Sequence, residues 1–453
     1  MSNPPATPTN NKTKYLSELK ELLRIPSIST QPEHKKDILM AAEWLKNHLA
    51  KIGLNNCKVM KTAGHPIVYA DYLLAKDKPT VLIYGHYDVQ PPEPLESWNT
   101  PPFEPTEKNG NLYGRGTSDD KAQIFAHIKA IDAIMSATEK LPVNVKFLIE
   151  GEEEVGGPSL DKFIIDNKKM LSADVCVISD SHSLSPTQPL IEYGLRGMAY
   201  MQIDLSTFEN DVHSGLYGGN VPNVAIELAN IISKLKDEKT QKILIPGFYD
   251  NVRKLTAKEK QALNKTPLTK KAIMEETGAK TTIGLVGASI PERCGALPAL
   301  DVNGFFSGYT GEGSKTIIPA KASAKISMRL VPNQSSAEIA KKFATYIKRV
   351  TPKYVGVTVK TLNTGEPILM DTSSIYFKKA EEVFIKTFGN KPIYVLDGAS
   401  IPVTSVIKRV LNIDSILMGF GLPDDGLHSP NEKISLEMFY KGIETSISYL
   451  SAL

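Results

Sequence analysis

Thr80-Val-Leu-Ile-Tyr84 runs directly into Gly85-His86-Tyr87-Asp88, and Asn144-Val-Lys-Phe-Leu-Ile149 runs into Glu150-Gly151-Glu152-Glu153-Glu154. Both apolar runs are short and rich in branched residues, the pattern of interior strands in an α/β sheet. Side chains just past the carboxyl ends of such strands line the crevice where α/β enzymes bind ligands. A His-x-Asp at one strand end and a run of glutamates at another predict a metal site assembled across a sheet.

Working outward, the same alternation of helix and strand continues. A helix is expected from near Thr13 to before Pro26, with Leu16, Leu19, Leu22 and Leu23 on one face. A second is expected over about 36–52, capped by Gly53, and a third over about 122–135. With a further strand at 174–179, this predicts a mostly parallel central sheet flanked by helices. After Tyr193-Gly194 the pattern becomes period-2 alternation, as in Met198-Ala-Tyr-Met-Gln-Ile-Asp-Leu-Ser206, typical of half-exposed antiparallel strands. Strands near 300–307, 322–331 and 355–362 and helices over 224–235 and 336–350 complete a small α+β layer. From about Tyr376 helix and apolar strand resume, with a strand at 413–418 and a closing helix at 438–450. The expected organisation is a disordered lead-in (1–13), an α/β catalytic domain (14–194 and 368–453) and an inserted α+β domain (195–367).

Composition narrows the function classes. The chain has 453 residues, long enough for two domains. With 41% hydrophobic and 23% charged residues, it reads as a globular protein. A formal charge of +3 and no dense Lys/Arg tract argue against nucleic acid or an anionic membrane surface as partner. Cys57, Cys176 and Cys294 form neither a disulfide framework nor a CxxC motif, which favours a reducing, cytoplasmic setting. The polar amino terminus has no apolar core of a signal peptide, and no run reaches the roughly 18 apolar residues of a membrane span.

The polar groups expected at strand ends and in neighbouring loops are His86, Asp88, Asp119, Glu153, Glu154, Asp180 and His428. Converging carboxylates repel by on the order of 4 kcal/mol per pair at about 4 Å, and divalent cations relieve that cost. Imidazole and carboxylate ligands without thiolate suit catalytic zinc, with manganese or cobalt as substitutes. Paired ions lie roughly 3.5–4 Å apart, a spacing one carboxylate can bridge. Asp119, in a tight loop leading into a helix, is the candidate bridge, with Asp120 the alternative. Asp88 is placed to fix the tautomer of His86 from behind. Glu153 and Glu154 cannot point the same way in a regular strand, so one is expected to bind metal while the other faces the reacting water. Glu152 competes for that second role.

These motifs, in order, resemble a known family. His86-Tyr-Asp88-Val-Gln-Pro91, Gly114-Arg-Gly-Thr-Ser-Asp119-Asp120-Lys121, Glu150-Gly-Glu-Glu153-Glu154, Ile178-Ser-Asp180 and Gly426-Leu-His428-Ser429 resemble the dinuclear-zinc metallopeptidases. That family includes carnosinase, cytosolic non-specific dipeptidase, glutamate carboxypeptidase and aminoacylase. Tyr193-Gly-Leu-Arg-Gly197, Val212-His213-Ser-Gly-Leu-Tyr-Gly-Gly219, Lys315-Thr316-Ile-Ile-Pro319, Arg329-Leu-Val-Pro332 and Ser400-Ile-Pro402 are closest to its dipeptidase branch. The resemblance implies a zinc-exopeptidase-like catalytic domain, with 195–367 as lid and dimerisation domain. It implies two divalent ions per subunit, one held by His86, Asp119 and Asp180 and the other by Asp119, Glu154 and His428, with Glu153 as general base. It further implies a homodimer in which His213 reaches the partner's active site to stabilise an oxyanion and Thr316 also acts across the dimer. Arg329 and the Gly398-Ala399-Ser400 turn are implied to hold the carboxylate of a short peptide substrate. Ala399 is a departure, since relatives near carnosinase tend to have Gly-Gly-Ser there.

Blander readings stand beside these. The glutamate run can be a solvated turn, His213 can simply cap a turn, and Arg329 can pair with a neighbouring carboxylate. His34, His48, His65, His127 and His182 read as surface or helix residues. Gly308-Tyr-Thr-Gly-Glu-Gly313-Ser314-Lys315-Thr316 misses the P-loop spacing by one residue, which argues against nucleotide binding. The expected activity is hydrolysis of the peptide bond of dipeptides or other short peptides by a metal-activated water. A deacylase of N-acyl amino acids using the same site is the alternative, and a catalytically inactive metal-stabilised binding protein is the remote one.

Overall fold

The computed structural model describes residues 11–398 and 401–453. Contacts divide the chain into two compact units: one runs to Tyr193 and includes Met370–Tyr394 and Pro402–Leu453, and the other comprises Gly194–Leu369 and Val395–Ile401. The expected lead-in lies outside the described residues up to position 10; Lys12 and Thr13 already belong to the first helix, Lys12–Leu23.

The first unit is built on a sheet whose strands run in the order Asn55–Met60, Ile67–Tyr72, Asn144–Glu150, Thr80–His86, Val175–Ile178, Ser415–Leu417. The last four are mutually parallel. The first two, which the sequence reading passed over, join antiparallel at one side. Val81, Leu82 and Ile83 are at most 1% exposed, which explains why the central runs are continuous in apolar residues and not alternating. Each such buried side chain contributes about 1.5–3 kcal/mol. The helix Lys121–Thr138 packs on the 80–86 strand and on the closing helix Leu436–Ala452, so it is apolar nearly all round.

The second unit contains a four-stranded antiparallel sheet in the order Ala299–Ser307, Lys321–Leu330, Gly197–Ser206, Gly356–Gly365. Buried and half-exposed residues alternate strictly along 197–205 and 322–330, as period-2 patterning requires. The buried set, including Met201, Ile203, Ile326 and Met328, meets Leu228, Ile231, Phe343 and Ile347 from the helices Val224–Ser233 and Ser336–Val350. The contact division differs from the sequence-based one at Val395–Ile401, which groups with the second unit. The backbone at Leu396 runs so close to Gly295 that a Cβ there would lie 1.6 Å from the Leu396 carbonyl oxygen.

Candidate metal centre

Parallel pairing brings the carboxyl ends of the central strands to one rim. His86 and Glu150 are register partners at the ends of their strands, while Tyr84 and Leu417 both pair with Ile178. Asp180 follows two residues after Ile178. Asp119 arrives on the loop that leads into the 121–138 helix, and His428 on the loop after the 415–417 strand.

His86, Asp119 and Asp180 each direct one ligand atom into a common space, as do Asp119, Glu154 and His428; within each trio these atoms lie within 4.8 Å of one another. Asp119 belongs to both. Its Oδ1 is 3.0 Å from His86 Nε2, and its Oδ2 is 2.9 Å from His428 Nε2. Asp180 Oδ2 stands 3.9 Å from His86 Nε2, and Glu154 Oε2 stands 3.3 Å from His428 Nε2. One carboxylate thus faces two imidazoles through different oxygens, the arrangement a bridging ligand needs.

The donor chemistry fits divalent cations. His86 Nδ1 lies 3.0 Å from the Asp88 carbonyl oxygen and 3.4 Å from its Oδ1, so its proton belongs on that side. Nε2 is then left with a lone pair facing carboxylate oxygens, which only a proton or a cation between them makes favourable. Without a cation, burial and the neighbouring Asp119 carboxylate push Asp180 up to about 7. Burial also drives Glu153 up to about 9, with His86 opposing and Asp180 and Glu154 adding to the rise. At His428, hydrogen bonds to Asp119 and Glu154 lift the imidazole to about 10. This crowding of like charge is what two-plus ions relieve.

The alternatives separate by geometry. Asp120 turns its Oδ2 to the His86 backbone N–H at 3.1 Å and belongs to neither trio. Glu152 accepts from the N–H groups of His65 and Ser159 at 2.9 and 3.2 Å, tying neighbouring loops together. The expectation of a continuing strand at Glu153-Glu154 needs correction. The strand ends at Glu150, and Glu153–Val155 forms a 3-10 turn whose N–H groups at Glu153 and Glu154 donate to the Asp88 carboxylate at 3.3 and 3.1 Å. That turn, and not strand alternation, aims the two glutamates apart.

Against this geometry, the sequence profile of peptidase family M20/M25/M40 matches residues 82–452. The chain belongs to that family. It is a metal-dependent hydrolase with a divalent-metal site, and other M20 members align along almost its whole length. It is 30% identical to Cys-Gly metallodipeptidase DUG1 of Saccharomyces cerevisiae, over 97% of this chain and 95% of that protein. The crystal structure of an M20 family metallo-carboxypeptidase, Sso-CP2 of Sulfolobus solfataricus, superimposes with a TM-score of 0.86 at 34% identity, covering 97% of this chain and 98% of that one. Human carnosine dipeptidase 1 gives a TM-score of 0.82 at 28% identity, covering 99% of each chain.

The remaining candidates lie in the second unit of this M20 chain. His213 sits on the two-residue strand Val212–His213, paired with Ile317. It is exposed, and its Nδ1 accepts from the Gly215 N–H at 2.9 Å, so it does cap a turn. Thr316 is adjacent, its carbonyl accepting from the Ser214 N–H at 3.1 Å. Arg329 is half-buried on the 321–330 strand between Ala299 and Met198. At Gly398 a Cβ would approach the Cys294 carbonyl oxygen to 2.6 Å, so no side chain fits. Ala399 and Ser400 lie outside the described residues. The stretch 308–316 leads into strands at 317–318 and 321–330, not the helix a P-loop needs.

Three supporting residues escaped the sequence reading. Gln90 Nε2 donates to Glu154 Oε2 at 2.7 Å, fixing that carboxylate from outside. Its signal was its place two residues beyond Asp88. His127, buried on the 121–138 helix, joins Ser179 Oγ at 2.7 Å to Ser446 Oγ at 2.9 Å, behind Asp180. Glu432 carries no pattern that marks it apart from a solvated loop acid, yet it is fully buried.

Proposed function

We propose that this M20 enzyme hydrolyses the peptide bond of dipeptides and other short peptides using two divalent ions, zinc first, with manganese or cobalt as substitutes. The observation that carries the reading is Asp119 shared between two ligand trios, with Glu153 beside them and in neither. The names of relatives, Cys-Gly metallodipeptidase and carnosine dipeptidase among them, support dipeptides over N-acyl amino acids.

Bound divalent ions supply Lewis acidity, which can lower the pKa of water from about 16 to about 7. His86, Asp119, Asp180, Glu154 and His428 hold them, and Asp88 keeps the His86 imidazole in the tautomer that presents Nε2. Glu153 removes a proton from the attacking water and passes it to the departing amine; such transfer contributes roughly 10²–10⁴-fold. His213 donates to the developing oxyanion from the partner subunit of a homodimer formed through the second unit, and Thr316 acts across the same dimer. Arg329, Gly398, Ala399 and Ser400 hold the substrate carboxylate. A cytoplasmic setting accords with three unpaired thiols; no described helix is long and apolar enough to cross a membrane.

Glu153→Gln tests the reading. With Cys-Gly or β-Ala-His as substrate, turnover should fall roughly 10²–10⁴-fold while metal content by plasma mass spectrometry stays unchanged. Near-native turnover removes Glu153 from the proton transfer. Faster cleavage of N-acetyl amino acids than of either dipeptide by the native enzyme would move the reading to deacylation.

A further inference from the structure

The loop that presents Asp119 closes one turn of its own, Thr117 onto the Gly114 carbonyl, and is otherwise held from a distant segment. Glu432 Oε1 accepts from the backbone N–H groups of Ser118 at 2.8 Å and of Asp119 itself at 3.1 Å. Its Oε2 accepts from the Gly116 N–H at 3.0 Å and from Arg115 Nη1 at 2.8 Å. Both Glu432 and Arg115 are at most 1% exposed. The Glu432 carbonyl also accepts from the Gly114 N–H at 3.0 Å. Donors from consecutive turns of 114–119 therefore converge on a single residue.

Glu432 lies four positions after His428, on the segment that presents that ligand. Asp425, three positions before His428 and fully buried, holds Ser118 Oγ at 2.8 Å through its Oδ2. His428 itself is a non-glycine residue at φ +57°, a backbone conformation that needs flanking support. The segments that carry Asp119 and His428 are thus joined on both sides of the imidazole by buried carboxylates.

We infer that Glu432 is a positioning residue for the dinuclear centre, locking the bridging Asp119 to the His428 segment so that both reach the same ion. The inference rests on the two-ion reading above and deepens it. Removing an outer partner of a metal ligand typically costs roughly 10–100-fold in metal affinity. Gln at 432 keeps the shape but turns an amide N–H₂ toward one pair of donors, so either the Ser118–Asp119 pair or the Gly116–Arg115 pair loses its acceptor. Asp at 432 keeps the charge but is one methylene too short to satisfy both pairs.

Full-length E432Q and E432D, checked for fold by circular dichroism, should be titrated with zinc against a chelating indicator of known affinity. The wild-type chain should take two equivalents. The weaker binding step should loosen roughly 10–100-fold in E432Q and E432D. Turnover should recover towards wild type at saturating zinc, with KM unchanged. E432D carries the test if E432Q does not fold. Native zinc affinity in a folded variant, or turnover that excess zinc does not restore, overturns the inference and leaves the dinuclear reading standing. A wild-type chain that takes up fewer than two equivalents overturns that reading itself, and the inference with it.

Discussion

Asp119 in the first unit and His213 in the second are both drawn into the proposed reaction, yet the chain supports them in opposite ways. Asp119 is 6% exposed, its carboxylate set between His86 and His428 and its backbone N–H held by Glu432. His213 is exposed on a strand of two residues, and its described side-chain bond is a local one from the Gly215 N–H. The difference separates two kinds of precision. Ligands that must gather like charges around an ion are pre-positioned by buried hydrogen bonds, because misplacement leaves uncompensated carboxylates in low dielectric. A donor needed only when charge develops on the substrate can be positioned by whatever completes the site.

That contrast can be broken most sharply at its first member. Asp119→Asn leaves both trios short of a charge, so metal content should fall and dipeptide hydrolysis should drop to background. Retention of two ions in this variant would show that Asp119 is not the bridge. His213→Ala should do the converse, leaving metal content intact while kcat falls roughly 10²–10³-fold, the usual effect of losing one oxyanion donor. If metal is lost in His213→Ala, the two residues are not separable in the way their burial indicates. A smaller effect is expected at Arg329→Met. Loss of a charged hydrogen bond worth about 1.5–3 kcal/mol should raise KM roughly 10–100-fold with kcat nearly held. A fall in kcat alone would place Arg329 in the reacting geometry instead.

The same contrast explains what the sequence made legible. The strands at 80–86 and 144–150 are visible because interior parallel strands are apolar without interruption, and the inserted unit because its strands alternate with period 2. His86, Asp119, Glu154, Asp180 and His428 could be collected because metal-ligating residue types stood at strand ends or in ordered motifs. The strand at 55–60 is hidden because Asn55-Asn-Cys-Lys-Val-Met60 offers neither signature, whereas Ile67-Val-Tyr-Ala-Asp-Tyr72 is buried along its whole length and carries the apolar signature of an interior strand that the reading passed over. That Glu153 and Glu154 point apart was expected, but the 3-10 turn that does it was not legible, because Asp88, a long-range partner, fixes it. Gln90, His127 and Glu432 act through contacts distant in sequence, which residue type alone cannot encode.

His127 offers the finest test, because it supports the rim from behind without touching a ligand. Its Nδ1 meets Ser446 Oγ, which itself donates to the Gly442 carbonyl at 2.8 Å, so the ring carries its proton on Nδ1. Nε2 is then an acceptor for Ser179 Oγ. Burial drives the imidazole down to about 3, so the fold requires it neutral. An unfolded chain protonates the same ring near pH 6.5. Its contribution is therefore complete above about pH 6.5 and is lost as pH falls towards about 3, at up to about 1.4 kcal/mol per pH unit. His127→Gln should cost about 1–2 kcal/mol at pH 7.5 from weakened hydrogen bonds, and it removes that slope. Urea unfolding of both proteins in chelator, at pH values from 7.5 to about 4.5, should give stability curves that converge and meet between about pH 5 and about pH 6. Parallel curves would mean that the folded chain protonates His127 as readily as the unfolded one, with the Ser179 hydroxyl then accepting from the ring at low pH.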